Sequence, residues 1–189
     1  MKVVFLDIDG VLDIFEPTEQ FQKLLEPALL RLKRMIAETE AKIVVISNWR
    51  YGHERYTHRI KSENEYLKER RNWEQLVRTF REYDLAIYDV SPWEDGLKTR
   101  SEEITCYLNS RSDITSFVIL DDCYSDRYES SDELKSRLVF VDANKALQDR
   151  DVELALRILA EERPADEQEL AMKSVVKSKY RKEQLRCEK

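Results

Sequence analysis

The chain has 189 residues, of which 42% are hydrophobic and 37% are charged, and its formal net charge is −6. This length suits one domain with a modest insertion. No apolar run approaches the roughly 18 residues of a membrane span, so we expect no contact with a membrane. The N-terminus has no basic segment or small-residue cleavage site, and the three cysteines are widely spaced. We therefore expect no signal peptide, no disulfide framework and a cytoplasmic location.

Short apolar runs alternate with helical patterns along the chain. The predicted strands cover residues 2–6, 42–47, 85–88, 116–120 and 138–141. The predicted helices cover residues 18–40, 64–80, 101–109 and 149–161. Pro27 lies inside the first of them and indicates a new helix start or a kink. Strands that alternate with helices are typical of βαβ units, so the pattern predicts an α/β fold with a mostly parallel five-stranded sheet flanked by helices.

The first predicted strand ends in two carboxylates, Asp7 and Asp9, and Gly10 follows directly. In an open α/β sheet, the chemistry lies beyond the carboxyl ends of the strands. Side chains alternate along a strand, so these aspartates point the same way and repel each other unless a cation lies between them. A hard divalent cation with oxygen ligands is the natural partner. The same short pattern also occurs in ordinary turns and in calcium-binding loops.

Polar and charged side chains also follow the later predicted elements. A hydroxyl donor stabilises negative charge without adding a carboxylate, and a basic residue would offset the charge of the aspartates. The candidates are Ser47, Asn48 and Arg50 after the second strand, Lys98 and Arg100 before the third helix, and Asp121 and Asp122 after the fourth strand.

The pattern Asp-x-Asp-Gly-Val after a hydrophobic strand resembles motif I of the haloacid dehalogenase-like (HAD) superfamily. The later candidates resemble its motifs II, III and IV in the correct order. This resemblance implies a Rossmann-like HAD fold, with Asp7 as the nucleophile and Asp9 as the general acid and base. It also implies that Ser47 binds the phosphoryl oxygens, with Asn48 and Arg50 as candidates for substrate binding.

The same resemblance implies a motif III cation and a Mg²⁺ site. We favour Lys98 as the cation, with Arg100 as its rival and otherwise as a substrate-binding residue. Asp7, the backbone carbonyl of Asp9, and Asp121 or Asp122 are the implied Mg²⁺ ligands. Mg²⁺ keeps several waters, so few protein carboxylates suffice. The spacing leaves open which of the two adjacent aspartates touches the metal.

A narrower resemblance concerns three short stretches: Ser-x-Trp-Arg, Thr-Arg-Ser-Glu-Glu-Ile and Ile-Leu-Asp-Asp. They resemble a compact, nearly capless HAD group that includes the HAD domain of predicted Swiss Army knife RNA-repair proteins. We expect residues 1–162 to form a phosphatase domain, with residues 51–83 as a small helical insertion at the rim of the site. Residues 163–189 are expected to form a charged helix or a flexible tail. The chain shows no ligase or kinase domain, so the resemblance alone does not imply a role in nucleic-acid repair.

These features predict a Mg²⁺-dependent phosphatase that acts through an aspartyl-phosphate. A small insertion leaves the site open, which favours a bulky phosphorylated substrate such as an RNA or DNA end. Residues 50–81 hold nine basic and five acidic side chains with interleaved aromatics, a combination that suits single strands but also an ordinary solvated helix face. The alternatives are a nucleotide phosphatase and a non-catalytic HAD-fold binding module. A non-catalytic module would be expected to lack Asp7, Asp9 or the acidic pair after the fourth strand, and all of these residues are present.

Overall fold

The computed structural model describes residues 1–14, 23–59, 62–92, 99–123, 128 and 131–161. Its five strands are β1 (Lys2–Leu6), β2 (Lys42–Val45), β3 (Ile87–Val90), β4 (Ser116–Asp121) and β5 (Leu138–Phe140). They form one sheet in the order β3-β2-β1-β4-β5, and every neighbouring pair is parallel. The predicted α/β fold with a mostly parallel sheet is therefore confirmed.

The central strand β1 is buried on both faces of the sheet. Val4 and Leu6 contribute to one apolar cluster, whereas Val3 and Phe5 contribute to a second cluster on the opposite face. This alternation follows from the pleat, which turns successive side chains to opposite sides. A parallel sheet covered on both faces requires such continuous apolar runs, and this explains why the sequence predicts β1 well.

Helices cover both faces of the sheet. They are α1 (Glu26–Thr39), α2 (Glu63–Glu82), α3 (Arg100–Asn109), α4 (Asp132–Ser136) and α5 (Asp149–Ala160). The buried apolar residues of α1, α2 and α5 belong to the first cluster, and those of α3 and α4 belong to the second. Among the described helices, none is both long and apolar enough to cross a membrane.

Two elements begin at least two residues later than the sequence predicts. Helix α1 begins at Glu26, with Pro27 in its first turn, where the missing N–H leaves no bond unmade. The predicted start at residue 18 lies outside the described residues. Strand β3 begins two residues later than predicted, because the chain is still closing the end of α2: Asp84 has φ 55°, and the N–H of Leu85 donates to the carbonyl of Phe80.

The described residues between β2 and β3 form a small helical layer. Two 3₁₀ helices, Asn48–Gly52 and Glu54–Arg59, precede α2. Gly52 allows the first 3₁₀ helix to lie against α2, since a Cβ atom there would sit 2.1 Å from the carbonyl oxygen of Glu69. In α2 only Leu76 and Phe80 are fully buried. This layer follows directly from the carboxyl end of β2.

Candidate active site

The turn after β1 brings several carboxylates together. Gly10 has φ +73°, a conformation that favours glycine, and a Cβ atom there would lie only 2.5 Å from Asp122 Oδ2. The carboxylate of Asp122, which follows β4, therefore lies directly against the turn that carries Asp7 and Asp9. The N–H of Gly10 donates to Asp13 Oδ1 at 2.8 Å and closes the turn from the other side.

Arg100 connects the acidic ends of β1 and β4. Its Nη1 donates to Asp7 Oδ2 at 2.6 Å and to Asp121 Oδ2 at 2.8 Å. Arg100 is the first residue of α3, and a capping box between Thr99 and Glu102 fixes where that helix begins. One guanidinium is thus held between two nearly inaccessible carboxylates.

Asp121 and Asp122 have different surroundings although they are adjacent. Asp121 is fully buried, and its oxygens accept hydrogen bonds from the Cys123 N–H at 2.8 Å, the Tyr128 hydroxyl at 2.6 Å and Arg100. Asp122 is partly exposed and faces the β1 turn. The carboxylate of Asp121 is consequently occupied by protein donors, whereas that of Asp122 is accessible.

The chain after β2 folds into the 3₁₀ helix Asn48–Gly52. Ser47 is buried and caps this helix, because its Oγ accepts the N–H of Trp49 at 3.3 Å. The Trp49 side chain is 3% exposed, and its Nε1 donates to Asp9 Oδ1 at 2.8 Å. Asn48 is exposed. This segment thus supplies a buried hydroxyl and a direct contact with the second aspartate of the β1 turn.

Arg50 points into the protein interior and is only 1% exposed. Its Nη2 donates to both carboxylate oxygens of Glu103, at 2.9 and 2.8 Å, and its Nη1 donates to the carbonyls of Ile46 and Ser47. Glu103 lies one helical turn after Arg100 on α3. The Arg50–Glu103 ion pair therefore ties the end of β2 to the beginning of α3, and its guanidinium is committed to protein partners.

Burial and mutual repulsion raise the pKa values of the clustered carboxyls. Burial raises the pKa of Asp7 to about 6 against the opposing effect of Arg100, and Asp121 adds to the rise. Burial also raises the pKa of Asp13 to about 7, with the N–H of Gly10 opposing it. The pKa values of Asp9 and Asp122 are raised for the same main reason.

The donor set fits a divalent cation with oxygen ligands. Among the described residues, the carboxylates of Asp7, Asp9, Asp121 and Asp122 lie close enough to influence one another, and Arg100 contacts two of them. Among the described residues, ligand atoms of Asp121, Asp122 and Cys123 lie within 4.8 Å of one another. A hard cation matches the carboxylates, and added positive charge would favour their ionised forms.

The predicted site residues mostly meet at this edge of the sheet. Residues 93–98 are outside the described part of the chain, so the favoured cation Lys98 is not placed, whereas its rival Arg100 contacts Asp7. Sequence reasoning missed Glu103, Asp13 and Tyr128. Glu103 had a signal, since its spacing from Arg100 puts both on neighbouring positions of one helix face. The contact of Tyr128 with Asp121 depends on the path of a loop and had no local signal.

The sheet order, the paired aspartates after the central strand and the acidic pair after the adjacent strand define a HAD-type hydrolase fold. A family model described as the HAD domain in Swiss Army Knife RNA repair proteins matches residues 3–152, so the chain belongs to this family. The resemblance seen in the sequence motifs is thereby confirmed. This superfamily contains phosphatases and generally uses a divalent metal. No curated protein and no solved structure matches the chain.

Proposed function

We propose that the protein is a Mg²⁺-dependent phosphatase with Asp7 as its nucleophile. The observation that carries the proposal is the bridge from Arg100 to both Asp7 and Asp121. Arg100 lies close to the attacking carboxylate and offsets its charge, which lets a second anion, the phosphate group, approach. Lys98 stays a candidate for a second cation at the site.

The reaction would proceed in two displacements. A carboxylate oxygen of Asp7 attacks phosphorus, the bond from phosphorus to the leaving oxygen breaks, and Asp9 gives that oxygen a proton. A water molecule then loses a proton to Asp9 and attacks the aspartyl-phosphate, which releases phosphate and restores Asp7. The Ser47 hydroxyl accepts from Trp49, so its own proton remains available for a phosphoryl oxygen. Asn48, which is exposed beside it, is proposed to contact the substrate.

The Mg²⁺ ligands are proposed to be Asp7, the backbone carbonyl of Asp9, and Asp122. The choice of Asp122 over Asp121 rests on their surroundings, since three protein donors already occupy the carboxylate of Asp121. When bound, the ion would neutralise charge on the transferring phosphoryl group and help to orient it. Asp121 would act instead by holding Arg100.

We propose a nucleic-acid end as the substrate. A groove of 740 Å³ lies between α2 and β3 and exposes Arg55 and Arg81 together with Trp73. Arg55, however, pairs with Asp89 at 3.1 Å, and Arg70 on α2 pairs with Glu74 at 2.7 Å. Such exposed pairs are weak and can exchange partners for a phosphate. A nucleotide is the alternative substrate.

Activity toward p-nitrophenyl phosphate tests the phosphatase proposal. We expect hydrolysis that stops with a chelator and returns with Mg²⁺. Asp7→Asn should abolish it, because an amide has the same shape but cannot attack phosphorus. Asp113→Asn is the matched control and should retain full activity, because this exposed aspartate lies before the start of β4, at the opposite end of that strand from the site. Residual activity above a few per cent in Asp7→Asn would reject the nucleophile assignment.

Substrate size is tested separately. Phosphorylated oligonucleotides and mononucleotides should be compared at low and high salt, with the phosphate at the 3′ or the 5′ end. If the substrate is a nucleic-acid end, oligonucleotides should be preferred, and the preference should decrease as salt rises because phosphate contacts release counterions. Neutralising Arg55, Arg70 and Arg71 together should raise KM for oligonucleotides and spare p-nitrophenyl phosphate. Equal activity on both substrate sizes at low salt would favour the nucleotide phosphatase.

A further inference from the structure

The side chain of Trp49 contacts the proposed general acid directly. Its indole N–H donates to Asp9 Oδ1 at 2.8 Å, and among the described residues no other side chain donates a hydrogen bond to the Asp9 carboxyl. We propose that Trp49 is a positioning residue that holds the Asp9 carboxyl in the orientation from which it transfers its proton. This inference rests on the proposed function of Asp9.

The indole is itself held rigidly. Trp49 is buried in the apolar core cluster, and its backbone N–H is bound by the Ser47 hydroxyl at 3.3 Å. The next residue, Arg50, is anchored to Glu103 by two hydrogen bonds. The residues on either side of Trp49 in the sequence thus hold its backbone in place. The indole ring presents its N–H to the turn after β1.

An indole N–H suits this task because it can donate but cannot accept a hydrogen bond. The torsion at the end of an aspartate side chain is broad and roughly two-fold, so a free carboxyl has two nearly equivalent oxygens. A donor on Oδ1 removes that equivalence. The proton of the neutral acid is then carried by Oδ2, the oxygen that the Trp49 contact leaves free.

The role of Trp49 predicts a dependence on the leaving group. Proton donation matters little when the leaving oxygen is a good leaving group such as p-nitrophenolate, and it matters greatly for an alkyl oxygen. The measurement is kcat/KM for p-nitrophenyl, phenyl and alkyl phosphates, because kcat/KM reports the steps up to departure of the leaving group. General acid catalysis contributes about 10²–10⁴-fold, so Trp49→Phe should lose at least about 10-fold on the alkyl ester and under about 3-fold on p-nitrophenyl phosphate.

Three comparisons separate positioning from simple damage to the fold. Replacement of Trp49 by benzothienylalanine keeps the fused ring and removes only the N–H, so it should reproduce the selective loss. Tyr107→Phe, which removes one buried side-chain donor that contacts Asp89 at 3.1 Å, should change all three substrates equally or not at all. In an Asp9→Asn background, Trp49→Phe should add no further leaving-group dependence, because the two residues act as one unit.

The outcomes are distinguishable. A uniform loss across all three esters in Trp49→Phe, or an additive loss in the double variant, would overturn the positioning role while leaving the phosphatase proposal intact. Absence of phosphatase activity in the wild-type protein with Mg²⁺ would overturn both. A steeper leaving-group dependence in both Trp49 variants, absent in Tyr107→Phe, is the expected result.

Discussion

The buried Arg50–Glu103 ion pair should show strong energetic coupling between its two members. We would compare Arg50→Met, Glu103→Leu and the double variant. Each substitution replaces a charged side chain with a large apolar one, so the interior stays filled. Arg50 is 1% exposed, and its two hydrogen bonds to Glu103 are 2.9 and 2.8 Å long. Breaking such a pair from one side leaves an uncompensated buried charge, so each single change should cost about 3–5 kcal/mol of unfolding free energy.

The double variant should cost far less than the sum of the single changes. It removes both charges, and the remaining loss is the hydrogen bonds from Arg50 to the carbonyls of Ile46 and Ser47, about 1 kcal/mol each. We therefore expect a total of about 1–3 kcal/mol and a coupling energy of at least about 3 kcal/mol. Burial already raises the pKa of Glu103, so Arg50→Met should be least destabilising at acidic pH, where Glu103 takes up a proton.

Urea unfolding of the four proteins at pH 7.5, with a chelator present, measures this coupling. The control is the exposed pair of Arg70 and Glu74, which has a shorter contact of 2.7 Å but side chains 46% and 60% exposed. Its coupling should stay below about 0.5 kcal/mol, because water and salt screen exposed pairs. If the Arg50 and Glu103 changes were additive within about 0.5 kcal/mol, the inferred link between β2 and α3 would be refuted.

Three further predictions concern the acidic turn. The pKa of Asp13 is raised from 3.8 to about 7. Between these two pH values, and without metal, the native state keeps a proton on Asp13 that the unfolded state releases, so the native state loses stability as pH rises. One pKa unit corresponds to about 1.4 kcal/mol, and residual solvation of Asp13 reduces the effect. Asp13→Asn should therefore raise the urea midpoint by the equivalent of about 1–2 kcal/mol at pH 8 and have little effect near pH 4. Equal shifts of the midpoint at both pH values would contradict this. Asp122→Asn should weaken Mg²⁺ binding at least about tenfold in calorimetric titration, since few protein carboxylates hold the ion, and unchanged affinity would exclude Asp122 as a ligand. Gly10→Ala should lower the free energy of unfolding by about 1–2 kcal/mol and also weaken Mg²⁺ binding, because its Cβ atom would displace the Asp122 carboxylate; a variant as stable as the wild type would disprove the close contact.

The sequence predicted best those parts of the fold that are buried from end to end. Strands β1 and β4 are largely uninterrupted apolar runs, and such a short run predicts a buried strand of a parallel sheet. The start of β3 was misplaced because Leu85 and Ala86 are apolar yet belong to the turn that closes α2. The short helix α4 was not predicted, since it buries only Leu134 and leaves little amphipathic pattern.

Within the site, the sequence predicted which residue types meet but not how they pair. Parallel strands bring Asp7 and Asp121 to the same edge of the sheet, and the motif order indicated this. The partner of Trp49 could not be predicted, because its contact with Asp9 requires the exact path of the turn after β2. The interior position of Arg50 was missed for a similar reason: its partner Glu103 lies far along the chain.

The position of β1 in the sheet has a consequence for synthesis on the ribosome. Strand β1 lies between β2 and β4, and Lys2 pairs with Ser116 while Leu6 pairs with Leu120. Synthesis proceeds at about 5–20 residues per second, so β1 spends several seconds with one edge unpaired while the chain up to β4 is made. During that time Asp7 has neither Arg100 nor the acidic end of β4 beside it. A nascent or truncated chain that lacks β4 therefore leaves one edge of an apolar strand unpaired and cannot assemble the proposed metal site. Strand β1 is made well before β4 and yet is among the last elements to reach its final surroundings.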